Sequence, residues 1–320
     1  MITLKQLAEL SGLSVRTVGR ALSGNGYVAP EKKALVQALA KKHNYTPNLA
    51  ARNLRLQKKK CVGIINNSFR LTANARKLSM LTRELTTNGY WPLLGNAENP
   101  EICRNMLCEW SALAEYVIVL RVVHQAVLEV IEQAAQTLPL KFIFADCPQA
   151  AEKNIIAIDR AGSVCNMLEE LDRMQIKSLV YCGCITDRLK GIEMAQAAGI
   201  KMKITMLEAM PEFEDGYTLG AKVMESNADV VFFDTDRMAM GFYRYAAENG
   251  IAIPDDISVI GFDDEEFAAL ATPGLSTLAH PRQKIADRAV QMIVENQISS
   301  AELLKMDFIK RSSLKIPSTN

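Results

Sequence analysis

The spacing of hydrophobic residues divides the chain into an N-terminal part with a helical period and a longer part in which short apolar runs alternate with amphipathic segments. In the N-terminal part, helix-spaced apolar residues lie on either side of Gly12: Leu4, Leu7 and Ala8 before it, and Val18, Ala21 and Leu22 after it. Ser14 is a favourable N-cap for the second helix. Two short helices joined by a tight glycine-containing turn predict a helix-turn-helix, whose second helix enters the major groove of DNA.

A third helix is predicted to begin near Pro30, because proline suits the first turn of a helix and Glu31 complements the helix dipole there. Its apolar stripe should consist of Ala34, Leu35, Ala38 and Leu39. The helix should end near His43, before Pro47. Residues 1–46 are therefore predicted to form one small all-α domain.

Ten candidate strands follow, and helical segments of roughly 10–16 residues separate most of them. The strands are predicted at 61–66, 90–95, 116–120, 141–145, 155–158, 178–182, 203–207, 229–233, 257–262 and 275–279, and the helices at 98–110, 124–136, 162–174, 187–198, 216–226, 237–249 and 282–297. Strands that alternate with helices predict parallel sheets covered on both faces. Ten strands are more than one open sheet usually contains, so we expect an α/β core of two parallel-sheet lobes.

The net charge of +1 conceals a strong asymmetry along the chain. Residues 1–60 hold twelve Lys or Arg residues and two acidic ones, a net charge of +10, and the remainder therefore carries −9. A basic N-terminal segment followed by an acidic remainder indicates that the partner is a polyanion, such as double-stranded DNA. The alternative is a solvated lysine-rich face without a nucleic-acid role.

The composition excludes several other classes of protein. The seven cysteines are an odd number with no Cys-x-x-Cys spacing, which predicts reduced thiols in a cytosolic protein. The three histidines lie far from any cysteine pair, so we expect neither a metal site nor a cofactor. The N-terminus lacks a signal segment, and no apolar run reaches the roughly 18 residues of a membrane span. No phosphate loop, Gly-x-Ser-x-Gly motif or Ser-His-Asp arrangement suggests an enzyme.

The second helix carries side chains suited to reading DNA. The positions least needed for packing are Val15, Arg16, Thr17, Gly19 and Arg20. Arginine binds guanine bidentately, valine contacts the thymine methyl group, and threonine binds phosphate.

The segments "TLKQLAELSGLSVRTVGRALSG" and "YTPNLAARNLR" resemble the N-terminal signature of the lactose-repressor (LacI/GalR) family of bacterial transcription regulators. The resemblance implies a homodimer that binds operator DNA in the bacterial cytoplasm, in association with the nucleoid. It adds further DNA contacts at Thr3, Ser14, Asn48, Ala51, Leu54 and Arg55. Gly19 departs from the serine that this family favours, and glycine weakens a helix.

In that family, the segment corresponding to residues 47–59 is a hinge helix that forms when two protomers bind the operator. The resemblance implies that Leu54 from each protomer enters the minor groove. An isolated helix of about ten residues is marginal in water, and an apolar wedge between base steps kinks the duplex. The alternative is that Leu54 packs between domains.

The core also resembles this family, through "DRMAMGFYRYAAENGIAIPDDISVIGFDD" and "LATPGLSTLAHPRQKIADRAVQMI". Family cores are similar to type I periplasmic binding proteins, which implies that residues 60–320 form a two-lobed effector-binding and dimerisation core. Ligands of open α/β sheets bind at the carboxyl ends of strands. By this resemblance, the effector contacts are Asp263, Arg188 and Asp146. Asp264 is expected to be structural, and Asp236 to cap the following helix.

Three cleft positions depart from the family pattern, and we include them among the effector-binding candidates: Arg70, Leu120 and Thr235. The departures and an aromatic content of 6% argue against an ordinary monosaccharide. They leave open an anionic effector bound by Arg70, Arg121 or Arg188.

The predicted function is that of a sequence-specific transcription regulator, in the first place a repressor. Its operator affinity would respond to a small molecule between the lobes, such as a sugar or an anionic sugar derivative. The alternatives are a regulator with a degenerate cleft controlled by a protein partner, and a small-molecule-binding protein without a DNA role.

Overall fold

The structure is a computed structural model that describes residues 2–24, 26–45, 59–66, 72–122, 124–147, 154–298 and 301–315. The chain divides into two units, Met1–Lys59 and Lys60–Asn320.

Among its described residues, the first unit contains three helices: α1 (Leu4–Ser11), α2 (Val15–Ser23) and α3 (Pro30–Lys42). Gly12 ends α1 in the left-handed conformation with φ of 65°, which glycine adopts without steric cost. The helices enclose a small core of Leu7, Ala8, Val18, Ala21 and Val36. The two predicted helices and the turn between them are present.

The predicted apolar stripe of α3 is wrong. Val36 is buried in the core and Leu39 and Ala40 pack against it, whereas Ala34, Leu35 and Ala38 are exposed. Both sets of residues follow the helical period, so the spacing alone does not distinguish them. The position of α1 and α2 decides which face of α3 is covered.

The second unit contains two six-stranded sheets among the described residues. Its strands are β1 (Cys61–Asn66), β2 (Trp91–Asn96), β3 (Ala114–Leu120), β4 (Lys141–Ala145), β5 (Ile155–Asp159), β6 (Ser178–Cys182), β7 (Lys203–Leu207), β8 (Val230–Phe233), β9 (Ser258–Asp263), β10 (Ser276–Ala279), β11 (Glu302–Lys305) and β12 (Asp307–Ile309). Its helices are α4 (Thr72–Thr87), α5 (Pro100–Leu113), α6 (Gln125–Thr137), α7 (Arg160–Arg173), α8 (Thr186–Ala197), α9 (Phe213–Thr218), α10 (Gly220–Glu225), α11 (Asp236–Glu248), α12 (Glu266–Leu270) and α13 (Arg282–Val294).

Each sheet forms the centre of one lobe. The first has the strand order β11-β5-β4-β3-β1-β2 and the second β12-β10-β9-β8-β6-β7. The described pairings are parallel except that of β10 with β12. The chain passes from the first sheet to the second after β5, returns after β10, and passes over again between β11 and β12. The predicted α/β core of two parallel-sheet lobes is confirmed.

Helices cover both faces of the first sheet, as its buried residues show. On β3, Val117 packs in a cluster with Trp110 of α5, whereas Ile118 and Leu120 belong to a different cluster with Leu81 of α4. Successive residues of a strand point to opposite faces, so a strand buried on both sides reads as one continuous apolar run.

The ten predicted strands are present, with ends that shift by at most two residues. The helix predicted at 216–226 is wrong in extent, because the structure has two short helices there, α9 and α10. The prediction omitted β11, β12, α4 and α12. The omitted strands have only four and three residues, which is too short for a reliable alternation of polar and apolar residues.

Candidate functional site

Helix α2 begins with a well-formed cap. The Oγ of Ser14 accepts a hydrogen bond from the backbone N–H of Thr17 at 3.1 Å and lies 2.8 Å from its Oγ1. Val15, Arg16 and Arg20 are exposed on this helix, whereas Val18 and Ala21 are buried. The helix therefore offers a valine, two guanidinium groups and its N-terminal amides to a polyanion.

The remaining DNA-contact candidates divide into two groups. Thr3 caps α1, where its hydroxyl accepts from Gln6 N–H and its own N–H donates to Gln6 Oε1 at 2.9 Å. Gly19 lies in α2 with open space where a side chain would project. The hinge candidates lie outside the described residues: Asn48, Ala51, Leu54 and Arg55.

In the second unit, a buried cluster of charges surrounds Asp146, just after β4. Three cations donate to its carboxylate: Lys77 through Nζ, Arg160 at 2.5 Å and Arg121 at 3.3 Å. Asp146, Lys77 and Arg160 are buried, and Arg121 is partly exposed. Although burial opposes the charged form, these cations hold the pKa of Asp146 well below its usual range.

On the second lobe, Asp263 ends β9 and lies 2.8 Å from Nε2 of His280. Burial in a cluster that also contains Lys77 lowers the pKa of His280 to about 4. The imidazole is therefore neutral at pH 7 and donates from Nε2 to the Asp263 carboxylate. This bond and the charge of Arg188 outweigh the effect of burial and lower the pKa of Asp263.

Arg188 of α8 is buried with few partners. Its guanidinium lies 3.5 Å from the centre of the Phe262 ring and donates to the backbone carbonyl of Asp234 at 3.3 Å. Its Nε has no hydrogen-bond partner among the described residues. Arg188 therefore retains unused donor capacity where the two lobes meet.

Direct contacts join the lobes across this region. Arg76 of α4 donates to the backbone carbonyl of Asp264 at 2.8 Å. Within the second lobe, Arg311 binds the Asp264 carboxylate at 2.7 Å. At the crossing between the sheets, Arg160 Nε lies 4.0 Å from Asp187 Oδ2. We call this region, between the carboxyl ends of the strands of the two lobes, the cleft.

Several residues at the cleft end of strands have an unusual backbone. Arg121, Asp146, Asp263 and Asp264 have positive φ without being glycine, with φ of 110° at Asp263. Such conformations cost energy and persist where the surroundings impose them, often at functional sites. The backbone strain at the cleft supports its interpretation as the binding site.

The comparisons with known proteins agree with both units. Residues 3–48 match the model described as "Bacterial regulatory proteins, lacI family", and residues 180–314 match that of a periplasmic binding protein-like domain. The chain is 26% identical to the probable HTH-type transcriptional repressor ExuR of Bacillus subtilis, over 98% of this chain and 99% of that protein. It is 25% identical to the HTH-type transcriptional repressor PurR of Haemophilus influenzae, over 92% of this chain and 91% of that protein.

The same fold occurs in the crystal structure of the lac repressor dimer bound to operator and the anti-inducer ONPF. The TM-score is 0.79 at 21% identity, over 98% of this chain and 99% of that chain. The chain combines a DNA-binding domain of the lacI family of bacterial regulatory proteins with a periplasmic binding protein-like domain. The predicted family, fold class and function as a DNA-binding transcription regulator are confirmed. No helix among the described residues of this lacI-family regulator is long and apolar enough to cross a membrane.

Of the effector candidates of this lacI-family regulator, the structure brings three together in the cleft: Asp146, Arg188 and Asp263. Leu120 does not line it, because its side chain is fully buried in the hydrophobic core. Arg70 lies outside the described residues.

The expectation that Asp236 caps α11 is wrong, because Thr235 is the cap. Thr235 caps α11, where its hydroxyl accepts from Met238 N–H at 3.1 Å and donates to the carbonyl of Pro211 at 3.3 Å. Its hydroxyl is therefore already engaged. Asp236 is not the cap but the first residue of the helix, and its buried carboxylate accepts from Glu265 N–H and Thr277 Oγ1. Burial raises the pKa of Asp236 well above its usual value.

Sequence reasoning missed two central cations of this lacI-family regulator, Lys77 and Arg160. Arg160 directly follows β5, so the strand-end criterion that selected Asp146 also applies to it. Lys77 lies within α4, where a lysine is normally exposed, and no sequence signal shows that it is buried.

Proposed function

We propose that this lacI-family chain acts as a homodimeric repressor whose operator affinity changes when a small molecule binds in the cleft. Residues 1–46 would form the DNA-binding domain, 47–59 the hinge, and 60–320 the effector-binding and dimerisation core. The relatives named above are transcriptional repressors. As a regulator, the chain is expected to act by binding rather than by catalysis.

The observation that carries the proposal is the set of buried polar atoms without hydrogen-bond partners. Among the described residues, these are Asn74 Nδ2, Arg188 Nε, Glu265 Oε2, His280 Nδ1 and Arg282 Nε. All five residues belong to elements that meet at the cleft: α4, α8, the segments after β9 and β10, and the start of α13. A buried polar atom without a partner is costly, and a polar ligand would supply the missing partners.

The coupling follows from the arrangement of the lobes. Elements of both lobes contribute charged groups to the cleft, so a ligand that contacts both favours one relative orientation. A ligand shifts the equilibrium only by its difference in affinity between two orientations, and the same coupling changes operator affinity.

The test is an electrophoretic mobility-shift titration with the full chain at several salt concentrations, on fragments selected from a random DNA pool. We expect the logarithm of affinity to fall steeply with the logarithm of salt, with a slope of about −0.9 per phosphate contacted. A slope near zero, or equal affinity for selected and unselected DNA, would contradict a DNA-binding regulator.

The same titration with two variants tests whether α2 contacts the DNA. Arg16→Gln should reduce the preference for selected DNA, because Arg16 is exposed on α2. Lys222→Met in the second unit is the matched control and should bind as the wild type does, since Lys222 is an exposed side chain of α10.

A further inference from the structure

We infer that the effector carries an anionic group, a carboxylate or a phosphate, which binds between Lys77 and Arg160 on one side of the cleft and Arg188 on the other. The inference rests on the proposed function, because it names the chemical class of ligand for the same cleft. It also assigns a different role to Asp146, which becomes the residue that positions the cations.

The cluster around Asp146 has too few negative charges. Three cations share one carboxylate, so the cluster carries two positive charges in excess. The side chains of Lys77 and Arg160 are only 2% and 5% exposed. Asp187 is 4.0 Å from Arg160 Nε, but its side chain is 43% exposed to solvent. Buried charge without a counter-ion is unfavourable, and an anionic ligand would remove the imbalance.

The other side of the cleft has a cation with unused donors. Arg188 stacks on Phe262 and makes one hydrogen bond to a backbone carbonyl. The Asp234 carboxylate already accepts from a tyrosine hydroxyl and two backbone N–H groups. Asp263 accepts from the neutral His280 and keeps its negative charge, which offsets only part of the positive charge of Arg188 and Lys77. A guanidinium with free N–H groups is suited to carboxylate or phosphate, which it binds bidentately.

Arg160 repels both Lys77 and Arg188. Burial lowers the pKa of Lys77, and the charge of Arg160 contributes although Asp146 opposes both effects. Burial likewise lowers the pKa of Arg188; Asp263 and Asp234 oppose this effect, and Arg160 adds to it. An anion bound between these cations would attract each of them and offset the repulsion between them. Electrostatic interactions therefore favour an anionic ligand over a neutral one.

A neutral sugar fits this side of the cleft less well. Sugar hydroxyls need acceptors as well as donors, and Asp146 was expected to accept from the ligand. Its two oxygens already accept from three cations, which leaves little capacity for a hydroxyl. Asp146 therefore holds Lys77 and Arg160 in place, and the cations contact the ligand.

The test measures thermal unfolding of the full chain with inorganic phosphate, against potassium chloride of the same ionic strength. Wild-type protein should show a saturable rise in unfolding temperature, because a ligand that binds only the folded state stabilises it. Lys77→Met should weaken the apparent phosphate affinity at least about tenfold, as expected for the loss of one charge-assisted hydrogen bond. Without phosphate, Lys77→Met should unfold at the same or a higher temperature, because two cations remain on Asp146.

A control variant separates this site from other effects of phosphate. Lys222→Met makes the same substitution at an exposed position and should keep the wild-type rise in unfolding temperature. Because phosphate stabilises proteins in general, the difference between Lys77→Met and Lys222→Met reports binding at the cleft. A parallel titration with acetate distinguishes the two anions: the larger rise identifies the phosphate or the carboxylate as the preferred group.

The inference is overturned if phosphate and acetate give no saturable rise in wild type, or if Lys77→Met keeps the full rise. If that variant does not fold, Arg121→Gln replaces it. Its side chain is 29% exposed, and removal of the third charge should weaken phosphate affinity several-fold; unchanged affinity would overturn the inference.

The two experiments can fail separately. The unfolding experiment contains no DNA, and the mobility-shift titration contains no inorganic phosphate or acetate. A chain that binds selected DNA but no anion overturns only this inference, and a chain that binds anions but no DNA overturns only the proposed function.

Discussion

At the scale of single residues, position along the chain predicted which residues reach the cleft better than it predicted their roles. Asp146 and Asp263 lie there because residues after parallel strands gather at one edge of a sheet. Arg188, which the family resemblance indicated, lies there within a helix, and the effector contacts of all three residues stay predictions. Thr235 rather than Asp236 caps α11, because the cap is the residue just before the first helical one. Sequence patterns define that boundary only to within one or two residues.

Lys77 shows why part of the cleft could not be predicted. Its burial depends on the acid at position 146, which is 69 residues away along the chain. Lysine is almost never fully buried unless it is paired, so local sequence favours the wrong answer. Only the folded lobe brings the two residues together.

His280 should make the stability of the second unit depend on pH. Its pKa is about 4 in the folded chain and near 6.5 when unfolded, so the unfolded state binds more protons between these values. Stability is therefore complete above about pH 6.5 and falls as the pH decreases towards 4. By pH 5 the loss should be about 2 kcal/mol in the free energy of unfolding.

Urea unfolding at pH 7 and pH 5 measures this loss. His280→Gln keeps a donor for Asp263 but does not titrate, so it should lose about 2 kcal/mol less than wild type over the same interval. His124→Gln, at an exposed position before α6, is the matched control and should follow the wild type. Equal losses in wild type and His280→Gln would show that other groups cause the pH dependence.

At the scale of helices and strands, the elements that were predicted have the clearest periodicity. Strands β1, β4 and β6 have the predicted limits because they are apolar runs bounded by polar residues. Helix α4 was missed since its sequence, "TANARKLSMLTRELTT", is polar on average, and the lysine in it interrupts the apolar face. Strands β11 and β12 pair with distant strands, and this pairing rather than their own sequence defines them.

Gly19 provides a prediction for helix α2. Apart from its chain neighbours and the backbone of its own helix, no atom lies within 4 Å of the place where its Cβ would be, and its backbone is helical. Gly19→Ala should therefore stabilise the first unit by about 0.5–1 kcal/mol, because alanine loses less backbone entropy in a helix. The midpoint of denaturant unfolding, followed by helical circular dichroism, measures the change.

Gly12→Ala is the matched control for this substitution. Its surroundings are equally open, but its φ is 65°, a conformation that alanine adopts at a cost. This variant should destabilise the first unit by about 1–2 kcal/mol. If both variants changed stability in the same direction, backbone conformation would not be the deciding factor.

At the scale of the whole molecule, the two halves of the sequence differ in charge and in periodicity, and this difference predicted the two units. The number of predicted strands indicated that the second unit has two lobes. It did not indicate that the chain crosses from the first sheet to the second between β11 and β12, which connects the end of the chain to both sheets. Such contacts form between segments far apart in sequence, for which a single chain carries no periodic signal.

The two units should unfold separately, because each has its own hydrophobic core. In the part of the chain that the structure describes, the core of the first unit consists of five buried residues, whereas the second unit has three large clusters. A domain of about 60 residues buries a smaller fraction of its surface and is correspondingly less stable. Scanning calorimetry of the full chain should therefore show a weak transition at lower temperature and a strong one at higher temperature.

Two variants assign these transitions. Removal of residues 1–59 should abolish the first and leave the temperature of the second within about 2 °C. Leu7→Ala should abolish or lower only the first, because the cavity left by a fully buried leucine costs about 2–5 kcal/mol. One transition that shifts in both variants would mean that the units stabilise each other. In that case, we expect changes in the cleft to reach the first unit through a permanent interface. If the two transitions are independent, we expect the units to become coupled only when DNA is bound.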